Sequence, residues 1–228
     1  MSDHPFRLHH VQYGRSFRVL WLIEEIGLAD RIGQPCEVVE YQIGSQEMFQ
    51  GGLNAVSPAT RIPALEIDGI TMSESGAITE YLVERYAPEL GVAPGEAERP
   101  DYLQWIHYSE TMASLIEQLN LQMVFLRPPA KASPVVLKLN VARLRHTLAG
   151  LDARLEGREW LLDRGFSAAD IMFGFNLFAA PYYVKLDAFP NIQAYHARMQ
   201  AMPSHQRTVA REGEQRFYAQ DFYPVPEM

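Results

Sequence analysis

The chain has 228 residues, 47% of them hydrophobic and 21% charged, with a formal net charge of −8 and no cluster of basic side chains. That is the make-up of an ordinary globular protein, and it excludes a disordered or collagen-like chain and a surface built to displace counterions from nucleic acid. A single cysteine, Cys36, excludes an internal disulfide and a Cys-rich zinc site and fits a reducing compartment. Residues 1–7 hold no apolar core of a secretory signal. The most apolar stretch, 171–184, is interrupted by Asn176 and Pro181 and falls short of the roughly 20 residues a membrane span needs. A cytoplasmic protein with neither a membrane nor a nucleic acid as partner is expected.

Residues 7–12 read as a short strand. The helical pattern after it puts Val19, Leu22, Ile23 and Ile26 on one face, and Gly27 ends it as a C-terminal cap. Residues 36–41 alternate apolar with polar, with β-branched weight from Val38 and Val39, and predict a second strand. Two strands around one helix make a βαβ unit with parallel strands. A Gly-rich segment without clear period fills 43–57. Residues 64–67, Asp68-Gly69 and 70–72 predict a hairpin with a two-residue turn. Residues 75–86 then predict a helix with Ile78, Tyr81 and Leu82 facing inward.

Pro88, Gly91, Pro94 and Gly95 mark 87–98 as a linker, so domains are expected at 1–86 and 99–228. Past the linker only helical runs are expected, at about 99–126, 134–156, 168–185 and 191–201, which makes the second domain an all-helical bundle. Ser167 and Asp170, bracketed by Phe166 and Ile171, read as a capping box with Asp in place of Glu, together with a hydrophobic staple. Phe217, Tyr218, Phe222 and Tyr223 are too aromatic for a free tail, and packing onto the body is expected.

Three segments carry candidate chemistry. Arg61-Ile62-Pro63-Ala64-Leu65 stands before the hairpin. A cis Ile62-Pro63 bond turns the Ile62 amide and carbonyl toward an extended peptide ligand, while a trans proline that only starts the strand is the plainer reading. Ser73-Glu74-Ser75-Gly76 opens the next helix. Its first amides suit a carboxylate and Glu74 suits an ammonium group, as in an amino-acid head group; the plainer reading is that a serine caps its own helix. Tyr13-Gly14-Arg15-Ser16 lies past the carboxyl end of the first strand, where ligands of open α/β sheets gather. Tyr13 and Ser16 offer hydroxyls, and the helix start offers positive potential, to an anion such as a thiolate; the plainer reading is a turn with Ser16 as N-cap. His9 and His10 are neighbours on one strand, point to opposite faces and do not share a metal ion. Trp105, Tyr108 and Met112 recur at helical spacing, a pattern more often core than pocket, and His107 faces outward.

Taken in order, with a linker and a helical domain behind them, these segments resemble the cytosolic glutathione transferases over nearly the whole chain. Arg61 to Leu65 resembles the segment with the cis-proline, Glu74-Ser75 the γ-glutamyl clamp, and Ser167-Ala168-Ala169-Asp170 the capping box of the buried sixth helix. Trp21-Leu22 and Glu24-Glu25 look most like bacterial and fungal members. The resemblance implies an α/β thioredoxin-like N-terminal domain with a mixed sheet and an all-α C-terminal domain. It further implies glutathione as co-substrate, a small hydrophobic electrophile in a pocket that includes Tyr108 and Met112, no metal, a homodimer and a role in detoxification. Within the glutathione-binding segment Arg61-Ile62-Pro63, Ile62 ahead of the cis Pro63 would pair the cysteinyl backbone of glutathione and Arg61 would face its glycyl carboxylate, while Glu74 and Ser75 hold its γ-glutamyl end.

For lowering the thiol pKa, the resemblance puts Tyr13 and Ser16 together as candidates, with Arg15 behind them; a tyrosine at position 13 departs from the serine or cysteine of similar members. No cysteine lies between Val11 and Phe17, which disfavours a mixed disulfide on the enzyme, and Cys36 is expected to be buried and inert. Two functions remain: a glutathione transferase, or a non-catalytic module of the same fold that carries ligands or binds proteins, similar to the stringent-starvation members. A pure interaction module has no physical need for the Glu74-Ser75 pair.

Overall fold

The computed structural model describes residues 6–225. The strands are β1 (Phe6–His10), β2 (Cys36–Glu40), β3 (Ala64–Ile67) and β4 (Ile70–Ser73). Helices α1 (Ser16–Glu25), α2 (Leu28–Ile32), α3 (Gln46–Gln50), α4 (Leu53–Val56) and α5 (Ser75–Tyr86) accompany them. Then follow α6 (Arg99–Asn120), α7 (Pro134–Arg154), α8 (Ala168–Gly174), α9 (Asn176–Ala179), α10 (Pro190–Gln200) and α11 (Pro203–Glu212). Two compact units result: the chain up to Glu96 joined by Met202–Glu214, and Ala97–Ala201 with the residues from Gln215 onward. The linker reading ended the first domain at residue 86 and left 202–214 with the helical one; α11 instead belongs to the sheet unit.

In the first unit the sheet order is β2-β1-β3-β4. β1 and β2 are parallel with α1 as crossover, while β3 runs antiparallel to both β1 and β4. The mixed sheet expected from βαβ followed by ββα is present. The apolar face of α1 is wholly enclosed through Val19, Leu22 and Ile23. Gly27 takes φ 57°, the left-handed turn that stops α1 and launches the short α2. The unperiodic 43–57 stretch holds α3 and α4, whose few residues are too short to print a helical period.

The Asp68-Gly69 turn has both residues at positive φ, 55° and 75°, as a type I′ hairpin demands. Its carboxylate reaches back to α5: Asp68 Oδ2 accepts from the Tyr81 and Tyr86 hydroxyls, each at 2.6 Å, and pairs with Arg85 Nε at 2.8 Å. Tyr81, expected inward, is therefore half exposed, and Thr79 and Val83 join Ile78 and Leu82 on the buried face. Desolvation at the turn pushes the Asp68 carboxyl up, but the two phenol hydrogen bonds and the Arg85 charge outweigh it and leave the group below its ordinary value of 3.8. A lowered carboxylate stabilises the fold above the ordinary value, and that contribution disappears as pH falls through the lowered one. Asp68→Asn keeps the turn preference and loses the charge, so it is expected to cost about 1 kcal/mol at neutral pH in urea unfolding, discounted for exposure. The difference from wild type should close as pH falls through the lowered value, below the ordinary 3.8; a gap that persists in acid would remove the charge from the explanation.

The second unit is helical. Trp105, Met112 and Ile116 of α6, Leu144 and Leu148 of α7, and Phe173 of α8 are among its buried side chains. The run read as one helix over 168–185 is broken into α8, α9 and a 3₁₀ turn at Ala180–Tyr182. Pro181 supplies the cause of the change after Ala179, since it lacks an N–H and its ring crowds the carbonyl four residues earlier. Likewise α6 ends at Asn120 and a π-helical turn, Leu121–Phe125, completes the run expected to reach 126. The aromatic tail packs as expected. Tyr218 stacks on Tyr182 with centroids 3.8 Å apart and donates to Asn120 Oδ1 at 3.0 Å, and the Tyr223 N–H reaches the Tyr182 carbonyl at 2.8 Å. Among the described residues no helix is long and apolar enough to cross a membrane.

Candidate active site at the carboxyl end of the first strand

Strand register decides which loops meet. His9 of β1 pairs with Ala64 of β3, and Ala64 pairs with Ser73 of β4. The 11–16 loop after β1, the 61–63 segment before β3 and the Glu74-Ser75 segment after β4 therefore all leave the sheet at one end, the carboxyl end of β1. The three segments singled out in the sequence converge.

The Ile62-Pro63 bond is cis, the less favoured of its two readings. Pro63 is buried and Ile62 half-buried, Arg61 is exposed, and the Arg61 N–H donates to the buried Ser57 hydroxyl at 3.0 Å. Glu74 is exposed at φ 75°, ψ 112°, a conformation that costs a non-glycine residue free energy and persists only where the surroundings impose it. It occupies the N-cap position of α5 without a side-chain cap bond. Ser75 does not cap the helix either: it is 4% exposed and its hydroxyl accepts from Arg18 Nη1 at 3.1 Å. Arg18 is fully enclosed in α1, which ties the first helix to the start of α5 through a charge-assisted bond.

In the 11–16 loop, Gly14 N donates to the Val11 carbonyl at 2.9 Å, and a Cβ on Gly14 would stand 2.9 Å from that same oxygen, so the turn admits only glycine. Ser16 is the first residue of α1 rather than its N-cap, a position that falls to Arg15. Its hydroxyl is fully buried, accepting from Val11 N at 3.1 Å and donating to Val11 O at 3.2 Å. Tyr13 has φ 52° and is half exposed; its hydroxyl donates to the Gly213 carbonyl at 2.7 Å and its N–H to the Glu212 carboxylate. Arg15 is half-buried.

A glutathione S-transferase N-terminal domain model matches residues 8–90, and a glutathione S-transferase C-terminal domain model matches residues 118–203. The chain belongs to the glutathione S-transferase family. Glutathione S-transferase 3 of Schizosaccharomyces pombe is 28% identical over 204 residues, covering 82% of this chain and 80% of that protein. The fold is similar to that of the glutathione transferase URE2P8 from Phanerochaete chrysosporium, solved with oxidized glutathione, at a TM-score of 0.79 and 22% identity over 92% of this chain and 96% of that one. A Pseudomonas fluorescens family member with two glutathione molecules bound gives a TM-score of 0.77 at 22% identity, covering 91% and 94%.

The other sequence candidates separate in this glutathione S-transferase fold. Tyr108 is half-buried and stacks on Phe173 at 6.1 Å, whereas Met112 is fully enclosed in the helical core and presents no surface to a ligand. His9 bonds Tyr41 and Glu66, each at 2.9 Å, and His10 faces Glu212 at 3.0 Å, so the two rings serve different partners. Cys36 is half-buried rather than enclosed, and desolvation pushes its thiol up to about 12, which leaves it a poor nucleophile.

Two features of the glutathione S-transferase sheet unit went unread in the sequence. Arg18 was visible as a lone charge within Phe17, Val19, Leu20, Trp21 and Leu22, a run where a cation survives only with partners. The second is α11, which docks on α1. Trp21 Nε1 donates to Ser204 Oγ at 3.1 Å, Ser204 donates to Glu25, and Glu24 takes Arg207 at 3.2 Å and Arg211 at 2.7 Å. The Trp21 and Glu24-Glu25 residues that suggested bacterial and fungal members are the docking face for this helix.

Proposed function

We propose that the protein is a glutathione transferase that holds glutathione at the carboxyl end of β1 and uses its thiolate to attack a small hydrophobic electrophile. The observation that carries this reading is the register that brings the 11–16 loop, the cis Ile62-Pro63 bond and Glu74-Ser75 to one sheet end. Ile62 then pairs the cysteinyl backbone as an added strand would. The exposed Glu74 carboxylate takes the γ-glutamyl ammonium, and the first amides of α5 take its carboxylate. Arg61, exposed at the rim, faces the glycyl carboxylate. Tyr108 is the pocket candidate in the helical unit, since Met112 has no exposed surface.

Activation consists of lowering the pKa of the bound thiol, each unit of which corresponds to about 1.36 kcal/mol of preference for the anion. The permanent charge of Arg15 at the N-cap position of α1 puts it first among the candidates, ahead of Ser16, whose hydroxyl is bonded on both sides to Val11, and Tyr13, whose hydroxyl donates to Gly213. The same commitments favour a second reading, a ligand-binding module of this fold without turnover. Passing the purified chain over immobilised glutathione and assaying a chloronitrobenzene acceptor separates the two. Retention with conjugation is expected, retention without conjugation selects the binding module, and a chain that flows through refutes both. A detoxification role, a cytoplasmic location and a homodimer remain part of the proposal.

A further inference from the structure

Glu212, the last residue of α11, has a carboxylate whose side chain is 0% exposed. A buried carboxylate is costly unless paired, and the carbonyl end of a helix is the wrong end for a negative charge. Helix stability therefore gives no reason for it. Its contacts do: Oε1 stands 3.0 Å from His10 Nε2, Oε2 accepts the Tyr13 N–H, and its own carbonyl accepts from Gln12 Nε2. The chain reverses at Gly213, with φ 70° and ψ −152°, a conformation glycine alone adopts readily, and this aims the Gly213 carbonyl at the Tyr13 hydroxyl. Tyr13 at φ 52° is the kind of non-glycine conformation that only imposed contacts maintain, and both its N–H and its hydroxyl are held by residues 212–213.

We propose that Glu212 is a positioning residue: through His10, Gln12 and Tyr13 it fixes the loop that presents Arg15 at the carboxyl end of β1, and so sets how strongly the bound thiol is ionised. The inference rests on the glutathione reading above. Neither Glu212 nor Gly213 touches the thiol; they hold the loop that does.

The test compares wild type with Glu212→Ala, Glu212→Gln, Gly213→Ala and, as a control, Arg207→Ala, which loosens α11 at Glu24 without touching the loop. For each, the bound thiol is titrated by thiolate absorbance, kcat and KM for glutathione are measured, and the thermal midpoint is recorded. Glu212→Ala is expected to raise the bound-thiol pKa by about one unit and to lower kcat about tenfold, with KM moving less than about threefold. Glu212→Gln, which still offers an oxygen to the Tyr13 N–H, should restore most of that loss. If Glu212→Ala does not fold, Gly213→Ala carries the test, because a side chain at φ 70° strains the turn that seats the Glu212 carboxylate on the Tyr13 N–H and should give the same rise in thiol pKa. A folded Glu212→Ala or Gly213→Ala with wild-type thiol pKa and kcat overturns the proposal, as does an equal shift in Arg207→Ala. A wild-type chain that binds no glutathione overturns the underlying reading and the inference with it, whereas an active wild type with unchanged variants overturns only the role of Glu212.

Discussion

Asp170→Ala is expected to cost about 4 kcal/mol of unfolding free energy, a large share of the 5–15 kcal/mol a typical domain has. Asp170 is completely buried at the start of α8 and accepts four bonds: from Leu161 N at 3.0 Å, Ser167 N at 2.8 Å, Ser167 Oγ at 3.0 Å and the Tyr195 hydroxyl at 2.8 Å. Alanine removes the acceptor and leaves the donors buried, which is the expensive way to break a network. Removing a donor is milder, so Tyr195→Phe and Ser167→Ala should each cost about 1–2 kcal/mol. Desolvation raises the Asp170 pKa to about 6 against the pull of those four donors. With a folded value above the ordinary 3.8, its contribution is full below that value and is lost as pH rises through about 6, so the gap between wild type and Asp170→Ala should narrow over that range. Urea midpoints at several pH values read both effects. A loss for Asp170→Ala smaller than for Tyr195→Phe would mean that the box is not what secures α8.

Features with local chemistry were legible in the sequence, and features built from long-range polar contacts were not. The Asp68-Gly69 hairpin and the Ser167-Asp170 box need particular residue types at fixed spacing, and both are present as expected. The apolar face of α1 announced itself by period. By contrast α11 buries Ser204, Thr208 and Glu212, a stripe at helical spacing made entirely of polar groups, while its Val209 is 37% exposed. A search for apolar period passes over such a helix, because its contacts are hydrogen bonds to Trp21, Glu25 and Tyr13 and the His205 ring against Phe17 and Trp21, which only the folded chain supplies. The same blindness affected the site. Position along the chain marked Tyr13 and Ser16 as hydroxyl donors, but no local pattern could reveal that Gly213 and Val11 already use them. Met112 failed the other way: the helical stripe was real, and it was core.

Those used hydroxyls lead to the largest effect expected on activity, an Arg15→Leu substitution. A bound thiol starts near the cysteine value of about 8.5, and an opposite charge within about 4–6 Å lowers a pKa by about 1–3 units. A guanidinium is charged at any pH an assay uses and sits here at the N-cap position of α1, where the helix start adds positive potential. Arg15→Leu is therefore expected to raise the bound-thiol pKa by one or two units and to lower kcat/KM at neutral pH about 10- to 100-fold. Much of the loss should return at high pH, where the thiol ionises unaided. Tyr13→Phe should shift the thiol by less than about half a unit, since its proton is on Gly213. Ser16→Ala is expected to act on stability, by about 1–2 kcal/mol, through the Val11 N–H it leaves buried. The titrations decide by rank: a shift in Tyr13→Phe larger than in Arg15→Leu returns the role to the tyrosine hydroxyl, swung off Gly213 when the tripeptide binds.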